Sequence, residues 1–176
     1  MTRSPLTLPH RLDPAAHTCR AVVETPAGSR AKFDYDADSG LFLLAGTLPA
    51  GLAFPLDFGF VPGTRCDDGD PLDILILAEG IQPLPVGCLV TARLLGVIEA
   101  EQTEGGVTLR NDRLVARLAE SRAFANVDSL DQLGEGFADE LARFFTIYNE
   151  LKGKQFEVLA TYGPTRASTL VEQAAC

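Results

Sequence analysis

Asp67-Asp68-Gly69-Asp70-Pro71-Leu72-Asp73 puts four carboxylates within seven residues, and Ile74-Leu75-Ile76-Leu77 follows at once. Gly69 and Pro71 make the acidic part a turn. The apolar part reads as a short, buried strand. Four like charges this close repel one another unless a cation or water takes up their field. Carboxylates at the mouth of a buried strand are therefore a candidate site for a hard cation such as Mg²⁺, Mn²⁺ or Ca²⁺. The plainer alternative is a solvated loop capping a strand. A second run of alternate acids, Asp34, Asp36 and Asp38, lacks the Gly and the distant Glu of an EF-hand loop and reads as a polar turn.

The chain around this turn has 176 residues, enough for a single domain with a proper core. Hydrophobic residues make up 46%, with 11 Pro and 16 Gly, which is a globular composition with many turns. A formal net charge of -9 argues against a general nucleic-acid or anionic-membrane binder, although not against a local basic pocket. Cys19, Cys66, Cys88 and Cys176 show no short metal-type spacing and read as free thiols in a reducing cytoplasm. Arg3, His10 and Arg11 precede no apolar run of signal-peptide type, and no apolar stretch is long enough to span a membrane.

The elements that must position the acids follow from the apolar pattern. Residues 1–18 read as an irregular arm before a single domain over 19–176. Cys19 to Glu24 reads as a strand, and Arg30 to Asp36 alternates as a hairpin partner with a charged face. Leu41 to Leu44 begins the next strand. Phe54 to Gly63 is aromatic and broken by Gly and Pro, and leads into the acidic turn. Cys88 to Ile98 is a long β-rich stretch, Glu101 to Gly106 an acidic loop, and Val107 to Arg117 one or two short strands. The period then changes: Phe137, Leu141, Phe144, Phe145, Tyr148 and Leu151 mark a helix over 136–151, with a shorter helix before it within 126–133. Gln155 to Tyr162 is a last strand, and Pro164 starts a C-terminal helix. Strands followed by helices indicate an α+β domain, mainly β, with helices packed outside a small barrel or twisted antiparallel sheet.

Several blocks together resemble the soluble, family I inorganic pyrophosphatases. Asp68-Gly69-Asp70-Pro71-Leu72-Asp73-Ile74 fits that family's acidic signature. Phe54-Pro55-Leu56-Asp57-Phe58-Gly59-Phe60-Val61-Pro62-Gly63 is similar to its aromatic stretch, and Glu24-Thr25-Pro26 with Lys32-Phe33-Asp34 to its early hairpin. Phe144-Phe145-Thr146-Ile147-Tyr148 with Lys152-Gly153-Lys154 is similar to its helix end. The resemblance runs in order over roughly residues 20–160.

It implies a five-stranded, OB-like closed barrel with two main helices outside, a hexamer, and Mg²⁺-dependent hydrolysis of pyrophosphate, with Mn²⁺ as an alternative cation. Carried over by position, Asp68 is a metal ligand, Asp73 a carboxylate shared between two metals, and Asp70 the general base. Glu24 and Asp34 are outer-shell acids holding metal-bound waters, and Lys32 and Tyr148 bind phosphate oxygens. Read from the residues alone, Lys32 could equally sit on a solvated strand face and Tyr148 on the core stripe of its helix.

The chain departs from the family pattern around this core. The family's phosphate-binding Arg falls on Gly46, its two active-site Tyr on Phe54 and Phe58, and the Lys after the helix Tyr on Asn149. Its Asp-rich segment, which supplies two further metal ligands and a phosphate-binding Lys, is here Glu99 to Arg110. Glu101 and Glu104 are the candidate ligands there, and Arg65 and Arg110 the candidate replacement cations. Three functions are consistent with this pattern: a divergent pyrophosphatase, a non-catalytic relative that binds a phosphate ligand or partner, and a hydrolase of another phosphoanhydride.

Overall fold

The computed structural model describes residues 4–79 and 82–176; residues 1–3 of the expected arm lie outside them. Nine strands and two α-helices are present among the described residues. They are β1 (Thr18–Thr25), β2 (Ala31–Asp36), β3 (Leu41–Thr47), β4 (Asp57–Phe60), β5 (Asp73–Leu77), β6 (Leu89–Glu104), β7 (Val107–Arg110), β8 (Arg113–Leu118), α1 (Phe137–Glu150), β9 (Gln155–Tyr162) and α2 (Pro164–Gln173). Between β8 and α1, only a 3-10 turn, Leu130–Leu133, forms where a short helix was expected.

The main sheet runs β1-β4-β5-β8-β6-β7, with β9 also on β6. β1 pairs with β6 as well, so the path of hydrogen-bonded strands returns on itself. β5 and β8 pair in parallel; the other pairings are antiparallel. β2 and β3 form a separate two-stranded hairpin. The close approach of β1 and β4 depends on Gly59, where a Cβ would lie 1.9 Å from the Val22 carbonyl oxygen.

Strand alternation divides the core. Ile74 and Ile76 of β5 join one buried cluster with Ala21, Val23, Leu94 and Leu114, which α2 covers through Ala167 and Val171. Leu75 and Leu77 point the other way, to a cluster with Phe54, Phe58, Leu95 and Val115 under Leu141, Phe145 and Tyr148 of α1. Asp139 and Glu140 sit in the first turn of α1, where acids suit the helix dipole.

Two elements depart from the sequence expectation. β6 continues through Glu104, so the residues expected as an acidic loop are strand, and the turn to β7 is only Gly105-Gly106. The N-terminal segment, irregular apart from a 3-10 turn at Pro5–Thr7, is docked: Arg20 N–H donates to the His10 carbonyl at 2.6 Å, and Gly63 N–H to the Leu6 carbonyl at 2.8 Å.

Candidate active site

The acidic turn is held by its own backbone. Cys66 N–H donates to the Asp70 carbonyl at 2.7 Å, and Gly69 N–H to the Cys66 carbonyl at 3.0 Å. Gly69 takes φ +91°, a left-handed conformation that glycine adopts without strain. Asp68 Oδ1 accepts from Asp70 N–H at 3.1 Å. Asp73 opens β5, three residues on, with its side chain mostly covered. The spacing seen in the sequence therefore becomes a rim with Asp68 and Asp70 exposed and Asp73 deeper.

A cavity of about 380 Å³ lies beside this rim. Asp70 and Asp73 form one wall; Glu24, Lys32 and Asp34 of β1 and β2, and Tyr148 at the end of α1, approach from the others. Six of the seven site residues named from the sequence thus meet in one cavity. The seventh, Asp68, lines an adjoining cavity of about 430 Å³, which Asp70 and Asp73 border as well.

The chain contains three lysines, Lys32, Lys152 and Lys154, and all three line the first cavity, with Arg113 as a fourth cation. Lys32 is ion-paired with Asp34. Lys154 meets Glu104 at 2.8 Å. Lys152 Nζ lies 4.5 Å from the centre of the Tyr148 ring; burial, with Lys32 and Lys154 nearby, lowers its pKa. In a chain of net charge -9, the amines are thus concentrated around this one cavity, opposite its carboxylates.

The acids are electrostatically strained. Glu24 is pushed up to about 7, chiefly by burial, although its Oε1 accepts from Tyr35 N–H at 2.8 Å. Burial raises Asp70, and the Asp68 charge adds to the shift. Asp73 is raised by burial in spite of Arg113, which reaches its Oδ2 at 2.5 Å. A bound cation would relieve these like-charge contacts. Asp68, Asp70 and Asp73, which border one cavity, are the hard oxygen donors from which a cation site on this side would be built. No three acidic, His or Cys side chains stand close enough together, among the described residues, to form a ready cage.

The wall facing the acids was misread from sequence. Gln102 and Asn111 stand there, joined by Asn111 Nδ2 donating to Gln102 Oε1 at 3.0 Å. Arg113 donates to Asn111 Oδ1 as well as reaching Asp73. Glu101 does not line either cavity, because strand parity turns it to the face opposite Gln102. Arg110 is engaged by Glu99 at 2.9 Å and Asp112 at 2.8 Å, away from both cavities. Arg65 is absent from both linings too. Glu104 borders the second cavity, but it is paired with Lys154. The arginine that lines the first cavity is Arg113, which opens β8, whereas Arg110 ends β7. Only the register of β6 separates Gln102 from Glu101, and no local signal in the sequence fixes that register.

The other departures are structural facts. Phe54 and Phe58 are buried and pack with each other at 5.5 Å between ring centres. Asn149 turns its amide back to the Phe145 carbonyl at 2.8 Å. Gly46 pairs with Lys32 across the β2–β3 hairpin and leaves open space where a side chain would stand. Tyr148 is buried, and its hydroxyl has no hydrogen-bond partner among the described residues.

The family model for inorganic pyrophosphatase matches residues 21–176. The chain belongs to the inorganic pyrophosphatase family. The inorganic pyrophosphatase of Synechocystis is 34% identical over 160 residues, covering 91% of each chain. That of Thermus thermophilus is 33% identical over 165 residues, 93% of this chain and 91% of its own. The crystal structure of a Thermus thermophilus inorganic pyrophosphatase superposes with a TM-score of 0.87 at 30% identity, covering 98% of this chain and 97% of that one. A Neisseria gonorrhoeae inorganic pyrophosphatase gives 0.84 at 28% identity, covering 97% and 95%. The mainly β fold with two helices is thus this pyrophosphatase family's fold, while the amide wall and the open Gly46 position are features of this member's own site.

Proposed function

We propose that this chain is a divergent inorganic pyrophosphatase, a hydrolase that splits pyrophosphate into two phosphates with Mg²⁺ (Mn²⁺ as alternative). The observation that carries the proposal is the convergence of Asp70 and Asp73 with every lysine of the chain around one cavity. A diphosphate carries several negative charges, so it needs cations at both ends and an acceptor for the proton of the attacking water.

In the mechanism that follows, Asp68 and Asp73 would hold the divalent ion. When bound, the ion polarises a phosphoryl oxygen and makes a water easier to deprotonate. Asp70 would take the proton of the attacking water; its raised affinity for a proton suits it to general-base work. Lys32, Lys152, Lys154 and Arg113 hold the phosphate oxygens, and the Tyr148 hydroxyl donates to one of them. Glu24 and Asp34 keep the inner waters in order from behind. Arg113 also holds Asp73 in place, so the loss of acidic ligands from the facing wall is partly offset by a fixed organic cation.

A purified-protein phosphate-release assay with Mg²⁺ or Mn²⁺, beside Asp70→Asn, tests this reading. Absence of turnover, or turnover unchanged in the variant, overturns it. A second reading has its own observation: the neutral amides Gln102 and Asn111 line the cavity that Asp68, Asp70 and Asp73 border, and Phe54 and Phe58 cannot donate hydrogen bonds. On that reading the site binds a diphosphate without splitting it, and calorimetric binding in the absence of turnover identifies it. The closed five-stranded barrel, the hexamer and the cytoplasmic location belong to the same proposal. The returning strand path supports the first. Exposed Leu41, Leu43 and Leu44 offer the second an apolar surface to cover, which light scattering checks.

A further inference from the structure

The cavity that holds the acids and cations has an apolar annex. A groove of about 170 Å³ is lined by Gly46, Thr47, Leu48, Pro49 and Leu151, and shares Lys32, Tyr148 and Lys152 with the main cavity. Those three side chains form a neck between the two spaces. Two of them are cations, and the third offers a buried hydroxyl that no group among the described residues satisfies. Such an orphan is costly unless a partner arrives. Beyond the neck the groove is mostly aliphatic; Gly46 lines it, and among the described residues no atom lies within 4 Å of where a Cβ at that position would be.

A ligand that fits both spaces has a charged diphosphate head and a short apolar tail. Inorganic pyrophosphate has nothing to place beyond the neck. We infer that this site also accepts diphosphate monoesters carrying a small alkyl or aryl group, with the tail lying over Gly46 between Leu48 and Leu151. The inference rests on the pyrophosphatase reading above and extends its substrate class. In the reaction, the water oxygen bonds to the terminal phosphorus while the bond from that phosphorus to the bridging oxygen breaks. The bridging oxygen leaves on the organic monophosphate, Asp70 takes the water proton, and inorganic phosphate is the other product. No oxidant or second substrate is needed.

The test compares n-hexyl diphosphate with methyl diphosphate, which share the head and differ in the tail. With Mg²⁺ present, kcat/KM for the hexyl ester is expected to exceed that for the methyl ester by about tenfold or more, because additional methylenes leave water. Gly46→Leu, which fills the groove from a position with room for a side chain, is expected to abolish that preference. Leu151→Ser, at an exposed position, is expected to reduce it. Equal rates for the two esters, or a preference unaffected by Gly46→Leu, overturn the inference. Calorimetric affinities of the hexyl and methyl esters of methylenebisphosphonate, which resist hydrolysis, read the same preference where turnover is absent. Tighter hexyl binding without any turnover sustains the annex and rejects the enzyme; equal binding rejects the annex, whatever the turnover of pyrophosphate.

Discussion

Asp73 and Arg113 occupy paired positions on the parallel strands β5 and β8, and their side chains meet at 2.5 Å. Arg113 is also stacked on Phe145 and Phe156, with its guanidinium carbon 4.9 and 5.5 Å from the two ring centres. The pair therefore ties the most covered of the three turn acids to the aromatic core. Removing one partner of a buried pair leaves the other charge uncompensated, at a cost of about 3–5 kcal/mol when burial is complete. Arg113→Met is expected near the lower end of that range, since Asp73 keeps a quarter of its side-chain surface exposed. Urea denaturation measures it, and Arg113→Lys is expected to recover only part of the loss because a lysine has no planar group to lie over Phe145 and Phe156.

Asp70→Asn keeps the size of the side chain and removes its ability to accept a proton. Turnover of pyrophosphate is expected to fall by about 100-fold or more, with circular dichroism and melting temperature close to those of the parent. A fall of less than threefold would assign the base elsewhere.

The amide wall limits cation binding. Gln102→Glu together with Asn111→Asp adds two charged ligands opposite Asp68, Asp70 and Asp73, and affinity for hard cations follows ligand charge. Mn²⁺ titration followed by electron paramagnetic resonance is expected to show affinity tighter by about tenfold. It is also expected to reveal an additional bound ion. An unchanged isotherm refutes the role given to these amides.

Glu24 links stability to pH. Its folded-state pKa of about 7 lies above the 4.5 of the free side chain, so the folded protein holds this proton more tightly than the unfolded chain does. The stabilising contribution is complete below pH 4.5 and is lost as pH rises through 7. Glu24→Gln, which retains an oxygen to accept from Tyr35 N–H, is expected to melt at the parent temperature at pH 4. At pH 8, in the absence of divalent cations, it is expected to melt higher than the parent. Parallel pH profiles for the two proteins contradict this.

All side-chain amines surround one cavity, so amine modification reports directly on the site. Pyrophosphate with Mg²⁺ is expected to protect Lys32, Lys152 and Lys154 together from acetic anhydride, as read by peptide mass spectrometry. Protection of none of the three rejects their placement around the ligand.

The local signals were the reliable ones. The Asp68–Asp70–Asp73 spacing, the alternation of β1 and β2 and the 3.6-residue stripe of α1 are written in short-range residue order, because turn chemistry and burial on one face constrain neighbouring residues directly. Losses at Gly46, Phe54, Phe58 and Asn149 were equally visible, since each lies in a block that keeps its register. What stood across the cavity was not visible. Whether Glu101 or Gln102 faced the acids depended on the parity of β6, and whether Arg110 or Arg113 did so depended on where the Gly105-Gly106 turn set the hairpin. A shift of one residue exchanges the two faces of a strand. The gathering of Lys32 with Lys152 and Lys154, and the groove over Gly46 beside Leu151, bring together residues more than a hundred positions apart. The sequence by itself determined the acids, their turn and the family. Only the packing of α1 against the sheet, and the β5–β8 pairing that sets Arg113 against Asp73, decided which cations and amides confront those acids, because contacts between distant segments are fixed by burial of the shared core rather than by local order.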